Sequence, residues 1–185
     1  MKYIIGLGNP GEKYTYTRHN VAWLIFASLN LSDWKHDKYM NAEFIGENVS
    51  NQITLYIKPQ TFMNKSGEII ASLKKEPDFS SDDVVMLYDD VDLAFGVVRV
   101  SYNRGDGGHN GVKSITNHLG TKKTVRIRVG ISHILDDGRL IKPNVLSNFS
   151  PEERDIIKND IAVKIEKIIK SIVENGTEKT MNIFN

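Results

Sequence analysis

A chain of 185 residues, 40% hydrophobic and 25% charged, can bury one core, and no apolar run in it is long enough to span a bilayer. The absence of cysteine excludes disulfide scaffolding, thiol nucleophiles and Cys-ligated zinc. A net charge of +1 says nothing about partners until the charges are located. Met1-Lys2 leads directly into an apolar run with no charged-then-apolar leader, so a cytoplasmic location is the expectation.

The first expected strand, Lys2–Gly6, runs into Gly6-Leu7-Gly8-Asn9-Pro10-Gly11, which satisfies the G-x-G-x-x-G pattern of dinucleotide turns. Such a turn should enter a helix at once and meet an acidic ribose ligand about 20 residues later. Here Pro10 stiffens the turn, polar and aromatic Glu12–Arg18 follows, and the next helical run waits until Val21. The glycines are therefore expected to present Asn9, and then His19-Asn20, rather than to admit a pyrophosphate. Val21–Leu29 reads as a helix, apolar all round as far as Phe26 and so buried on most sides.

Strands are expected at Phe44–Val49 and Ile53–Lys58, followed by Thr61-Phe62-Met63-Asn64 and a helix over Ser66–Lys75. Val84–Tyr88 reads as a strand ended by Asp89. Val97–Tyr102 leads into the glycine loop Gly105–Gly108, which closes on His109 and Asn110 at the start of a helix over Asn110–Leu119. Val125–Ile131 completes the strands. The final helix, Pro151–Glu174, opens on Ser150-Pro151-Glu152-Glu153, an N-cap with a first-turn proline and a capping-box acid. Ile157, Ile161, Ile165, Ile168 and Ile172 then form a core-facing stripe, and Asn175-Gly176 ends it. The alternation predicts one domain over residues 1–185, an α/β sandwich with a twisted mixed central sheet flanked by helices.

Seven basic residues (Arg99, Arg104, Lys113, Lys122, Lys123, Arg126 and Arg128) face Asp106 alone in one window. That excess suits a polyanion, although a solvated surface explains the lysines equally well. Arg126 and Arg128, two apart on a strand, point to one face and favour the polyanion.

If the strands run parallel, Asn9, Asn64, Asp89, His109 and Asn110 gather at their carboxyl ends, where α/β sheets bind ligands. His19 is the candidate base. Asn20 is expected to cap the following helix, whose positive end opposes protonation of the ring, while Asp89 accepts its other N–H. His109, in a glycine loop at a helix N-terminus, either binds phosphate or satisfies its turn, with the structural role favoured. His36, His118 and His133 have no convincing partners. No G-x-S-x-G elbow, H-E-x-x-H pair or phosphate loop is present, and Asp89-Asp90-Val91-Asp92 lacks the glycine and distal glutamate of a calcium loop. A metal-free site of histidine, carboxylate and asparagines remains, able to activate water and to hold an oxyanion by amide N–H donation.

Gly6–Gly11, Tyr14, Thr17-Arg18-His19-Asn20, Thr61–Gly67, Asp89-Asp90-Val91-Asp92-Leu93 and Gly107–Gly111 together resemble the bacterial peptidyl-tRNA hydrolases, in order and spacing along the whole chain. The resemblance implies a monomeric, cofactor-free enzyme that cleaves the ester between a peptide and the tRNA 3′-terminal ribose, recycling tRNA from stalled translation. It implies His19 as base and Asp89 as the acid that orients it. It also implies Asn9 and Asn64 as pocket asparagines, with Asn64 the oxyanion donor, and Asn110 as an aid in placing substrate and water. Arg128 corresponds to a basic residue of the phosphate clamp, and Phe62, Met63 and Tyr14 to positions around the pocket. The second clamp position falls near Ser101, which has no charge; Arg99 or Arg104 would have to supply it. Ala22 and Ala94 stand where the family often has glycine and proline, as packing variation. Asp106 places a negative charge in the basic loop. Two competing readings are a non-catalytic RNA-binding module using the basic window and a nucleotide-dependent oxidoreductase using Gly6–Gly11.

Overall fold

The computed structural model describes every residue from Met1 to Asn185. Its centre is an eight-stranded mixed sheet. In chain order the strands are β1 (Lys2–Gly6), β2 (Lys35–Asp37), β3 (Ala42–Val49), β4 (Gln52–Pro59), β5 (Val84–Ala94), β6 (Val98–Tyr102), β7 (Val125–Ile134) and β8 (Leu140–Ile141). Their spatial order is β2-β3-β4-β1-β5-β7-β6, with β8 paired to β7. β4, β1, β5 and β7 run parallel. β2, β3, β6 and β8 are antiparallel to their neighbours.

The helices are α1 (Val21–Ser28), α2 (Ile69–Leu73), α3 (Asn110–Leu119), α4 (Pro151–Ile156), α5 (Ala162–Asn175) and α6 (Thr177–Phe184). One face of the sheet packs Val85, Leu87, Ile127 and Val129 against Val21, Ile25 and Phe26 of α1 and against Ile165, Ile168 and Ile172 of α5. The other face packs Ile5, Ile57, Met86 and Tyr88 against Ile69, Ile70 and Leu73 of α2 and against Val112 and Ile115 of α3. The expected α/β sandwich is therefore the observed architecture, with period-two alternation along the strands feeding two separate cores.

The differences lie at element ends. β5 continues past Asp89 to Ala94, so Asp89 sits within the strand rather than ending it. The expected helix from Ser66 begins as a 3₁₀ turn, Met63–Glu68, before α2. The C-terminal helix is broken by a π-helical turn at Ile157–Ile161 between α4 and α5, and all five isoleucines of its stripe are buried. Its start matches expectation: Ser150 and Glu153 form a reciprocal capping box with Pro151 in the first turn. β2, β8 and α6 fall outside the expected elements. α6 packs against edge strand β6, where the Asn185 carboxamide pairs with both backbone groups of Val100 and covers that edge.

The opening glycines serve helix packing. A Cβ on Gly6 would come within 2.5 Å of Phe26, and one on Gly8 within 2.7 Å of Trp23, both on α1. Trp23 Nε1 also donates to the Gly6 carbonyl at 2.9 Å. Gly11 has φ 108°, open to glycine at little cost. The loop thus brings α1 hard against β1, and packing alone accounts for Gly6 and Gly8.

Candidate active site

Parallel β1 and β5 end on the same edge of the sheet, and their extensions meet the loop that carries His19. This loop is a 3₁₀ turn, Arg18–Asn20, that leads directly into α1. It is held from the outside by the segment before α4, through His19 N–H to the Val145 carbonyl and Arg18 N–H to the Ser147 carbonyl, each at 2.9 Å. A bridge between Thr17 and Asn148 completes the clamp.

His19 Nδ1 lies 2.8 Å from Asp89 Oδ1, and His109 Nε2 approaches the same oxygen at 3.0 Å. A carboxylate only accepts, so both of those ring nitrogens carry the proton. The remaining nitrogen of His109, Nδ1, accepts from Val112 N–H at 3.3 Å and caps α3. His109 is thereby fixed as the neutral Nε2–H tautomer with both nitrogens engaged. The Nε2 of His19 is left as the unengaged imidazole nitrogen, an acceptor. Burial by itself would raise the Asp89 carboxyl, but His109, and then His19, each donating a hydrogen bond to it, hold it well below the usual carboxylate range. These three residues are also the one group with the composition of a metal site. One nitrogen of each histidine converges on a single Asp89 oxygen and is spent there, which leaves His19 Nε2 as the open ring nitrogen of the group.

Around them lies a cavity of about 180 Å³ walled by Tyr88–Asp92 on one side, by Arg104–Asn110 on the other, and closed by Val145. At about 30 Å³ per water it has room for a few waters or a small acyl group. Asp90 is paired with Arg128 at 3.0 Å and Asp92 with Lys142 at 2.6 Å. Asp106 accepts from Gly108 N–H at 2.9 Å. Arg104 is exposed on the same wall, and Asn110, the first residue of α3, faces the cavity mouth.

Asn9 is built in rather than loose. Its Oδ1 accepts from Met63 N–H at 2.8 Å, which leaves the Nδ2 donors free with a set direction. Asn20 does not cap α1, as its position suggested. Its carboxamide instead accepts from Asn9 N–H and donates to the Asn9 carbonyl, each at 2.9 Å. Asn64 follows Met63 on the exposed side of the 3₁₀ turn, makes no side-chain hydrogen bond within the protein and does not line the cavity. Met63 is core, against Gly111. Tyr14 and Phe62 meet edge to face, centroids 6.3 Å apart, with Phe62 exposed.

The basic window needs correction. Arg126 is fully buried and Arg128 nearly so. β6 is antiparallel, so the segment after it must return along the sheet to reach Asp89, and it passes over these side chains. On the way Asn103 N–H meets the Thr124 carbonyl, and Arg126 Nη1 donates to the Gly105 carbonyl at 2.8 Å. The shared face of the two arginines is thus covered by the glycine loop instead of facing a polyanion. Arg99 is held by the Asn185 carbonyl, and Ser101 Oγ is buried without a partner, so Arg104 is the window's one arginine free at the cavity. His109 is committed to Asp89 and its own helix, not open to phosphate. His133 has a partner after all, in Arg18. His36 is exposed and His118 bonds the Ser114 carbonyl, as ordinary structural histidines. Tyr88, Val145 and the Arg18–Glu153 pair escaped the sequence reading. For Arg18 a signal was present: a charged residue directly before the candidate base.

A protein-family model described as peptidyl-tRNA hydrolase matches residues 3–185. The peptidyl-tRNA hydrolase of Thermotoga petrophila is 42% identical over 182 residues, spanning 98% of this chain and 96% of that protein. That of Brevibacillus brevis is 39% identical over 188 residues, spanning 100% and 98%. The crystal structure of peptidyl-tRNA hydrolase from Acinetobacter baumannii superposes with a TM-score of 0.85 at 26% identity, covering 100% of this chain and 94% of that one.

Proposed function

The chain belongs to the peptidyl-tRNA hydrolase family, so its activity is hydrolysis of peptidyl-tRNA, and we propose that His19 Nε2 is the general base for that reaction. The observation that carries this reading is the shared Asp89 oxygen. It locks both histidines as hydrogen-bond donors toward the carboxylate and leaves one imidazole nitrogen, on His19, able to take a proton from water. Water deprotonated there attacks the ester carbonyl that joins the peptide to the 3′-terminal ribose. Imidazolium then forms against an Asp89 carboxylate already ionised, and its proton passes to the departing ribose oxygen. General-base assistance of this kind contributes roughly 100- to 10,000-fold.

The carbonyl oxygen gains charge in the tetrahedral stage and needs a donor set in place beforehand; losing one costs roughly 3 kcal/mol. Asn9 meets the requirement through its anchor on Met63, and Asn64 approaches the substrate from the exposed side of the same turn. Asn110 and Arg104, at the cavity mouth, are the polar groups available to a ribose or phosphate. Tyr14 and Phe62 offer an exposed aromatic edge for the peptide side. No cofactor takes part in these steps, and a cytoplasmic monomer of one domain acting to recycle tRNA is the setting in keeping with them. No helix is long and apolar enough to cross a membrane. The RNA-binding alternative loses its main support with the burial of Arg126 and Arg128.

The test is release of free peptide from purified peptidyl-tRNA by the wild type and by His19→Ala. Turnover should all but vanish while melting temperature and affinity for tRNA stay close to wild type. Ester cleavage by the mutant within about tenfold of wild type would remove His19 from the role of base.

A further inference from the structure

Arg18 stands beside His19 in the chain yet lies outside the cavity, 6% exposed. Its guanidinium joins three separate pieces of the fold: β7, α4 and the segment that leads into α4. Nη1 donates to the Ile131 carbonyl of β7 at 3.3 Å. Nη2 lies 2.9 Å from both carboxylate oxygens of Glu153 on α4. The same nitrogen is 3.2 Å from His133 Nε2, which must accept because arginine only donates. The guanidinium face covers the Phe149 ring, 4.8 Å from its centroid. Glu153 is itself fixed, since its Oε2 accepts from Ser150 N–H at 2.8 Å to close the capping box of α4.

We propose that Arg18 is a positioning residue for the reaction: through the buried Arg18–Glu153 pair it sets the 3₁₀ turn that aims His19 at Asp89 and at the cavity. The inference rests on His19 being the base. A buried pair of this kind is seldom a net source of stability, because desolvation offsets its attraction. Its worth here is geometric. Asn20 ties the far side of the turn to Asn9, and Val145 and Ser147 hold its backbone. Beyond the stacking of Arg154 on Tyr16, Arg18 is the one side chain of the turn that hydrogen-bonds to β7 and α4. An imidazole displaced by about 1 Å can lose roughly 100-fold in rate even though the substrate still binds. Lysine cannot substitute, because one ammonium cannot span β7 and α4 while stacking on Phe149.

The experiment compares Arg18→Met/Glu153→Gln, a double variant that leaves no lone buried charge and keeps the α4 cap, with Arg18→Lys and His19→Ala. Each is assayed on an N-acetylaminoacyl-tRNA for kcat and KM, with thermal melting and affinity for free tRNA measured beside them. The expected result is a 10- to 100-fold fall in kcat for the double variant, KM and tRNA affinity within about threefold, and only partial recovery in Arg18→Lys. A folded double variant with kcat within threefold of wild type overturns the proposal, as does a change confined to KM. If the double variant does not fold, the kcat of Arg18→Lys decides in the same way. Loss of the His19 reading shows separately, as turnover surviving in His19→Ala.

Discussion

The carboxamide of Asn20 closes a two-bond ring on the backbone of Asn9, giving one hydrogen bond and taking one, each at 2.9 Å. A side chain expected to serve a helix end instead behaves like a short piece of strand. It joins the glycine turn to the turn that bears His19. Asn20→Ala leaves two buried backbone groups of Asn9 unpaired, at about 1–3 kcal/mol each. Urea denaturation should show that loss, and turnover should fall with it as the Asn9 donor drifts. Asn20→Asp keeps the acceptor and should recover part of both. A drop in stability with kcat unchanged would detach Asn9 from the chemistry.

Gly8→Ala presses a methyl group into the Trp23 indole and should cost about 1–3 kcal/mol by overpacking. Combining it with Trp23→Leu, which vacates the space, should restore a good part of the difference. Failure of the second substitution to compensate would mean that Gly8 is required for another reason, and nucleotide titration would be the next measurement.

Asp89 has its proton affinity lowered in the folded state, against an ordinary value of 3.8. The carboxyl therefore contributes stability that is complete above about pH 5 and is lost as pH falls through and below 3.8. Asp89→Asn should flatten that acid dependence in equilibrium unfolding. It should also cut turnover roughly 100- to 10,000-fold, because an amide does not enforce the same His19 tautomer. A rate loss between pH 5 and 7 that disappears in Asp89→Asn would show Asp89 titrating there and would contradict the lowered value.

Arg128→Met strands Asp90 in a site where both side chains are nearly buried, so a loss of about 3–5 kcal/mol is expected, and Asp90→Asn on top of it should return much of that. Arg104→Ala should behave in the opposite way, raising KM for tRNA substrates with the melting temperature unmoved and lowering the salt dependence of binding. Should Arg128→Met raise KM and leave stability alone, the guanidinium must leave Asp90 for a substrate phosphate.

How far these features could be read in advance follows from what each depends on. β1 and α3 have the expected boundaries because local chemistry decides them, an apolar run before a glycine turn in one case and Gly120 in a left-handed C-cap in the other. β2 and β8 are short and mostly exposed, and pairing with a neighbour is what makes them strands. That Asn9 and Asp89 lie toward one edge was legible because β1 and β5 run parallel, whereas whether Asp89 reaches His19 depends on how the long loop after β1 returns, which no local pattern fixes. The burial of Arg126 and Arg128 was not. Alternation gives the shared face, but only the antiparallel entry of β6 shows that a glycine loop must return across it. His109 was ambiguous for the related reason that its two nitrogens serve two different elements.

The π turn at Ile157–Ile161 has a bearing on more than its own helix. Glu153, Ile157, Ile161 and Ile165 follow one another at intervals of four. On a regular α-helix each such step over-rotates by about 40°, so Glu153 and Ile165 would end about 120° apart. One extra residue in the wide turn removes about 100° of that and brings the acid almost into line with the isoleucines. The bulge thus works as a phase adjuster: α5 keeps its apolar seam on the sheet while α4 turns its carboxylate toward Arg18. Deleting a single residue from the turn, Asn159 for example, would make a more regular helix and swing Glu153 away from the loop that carries His19.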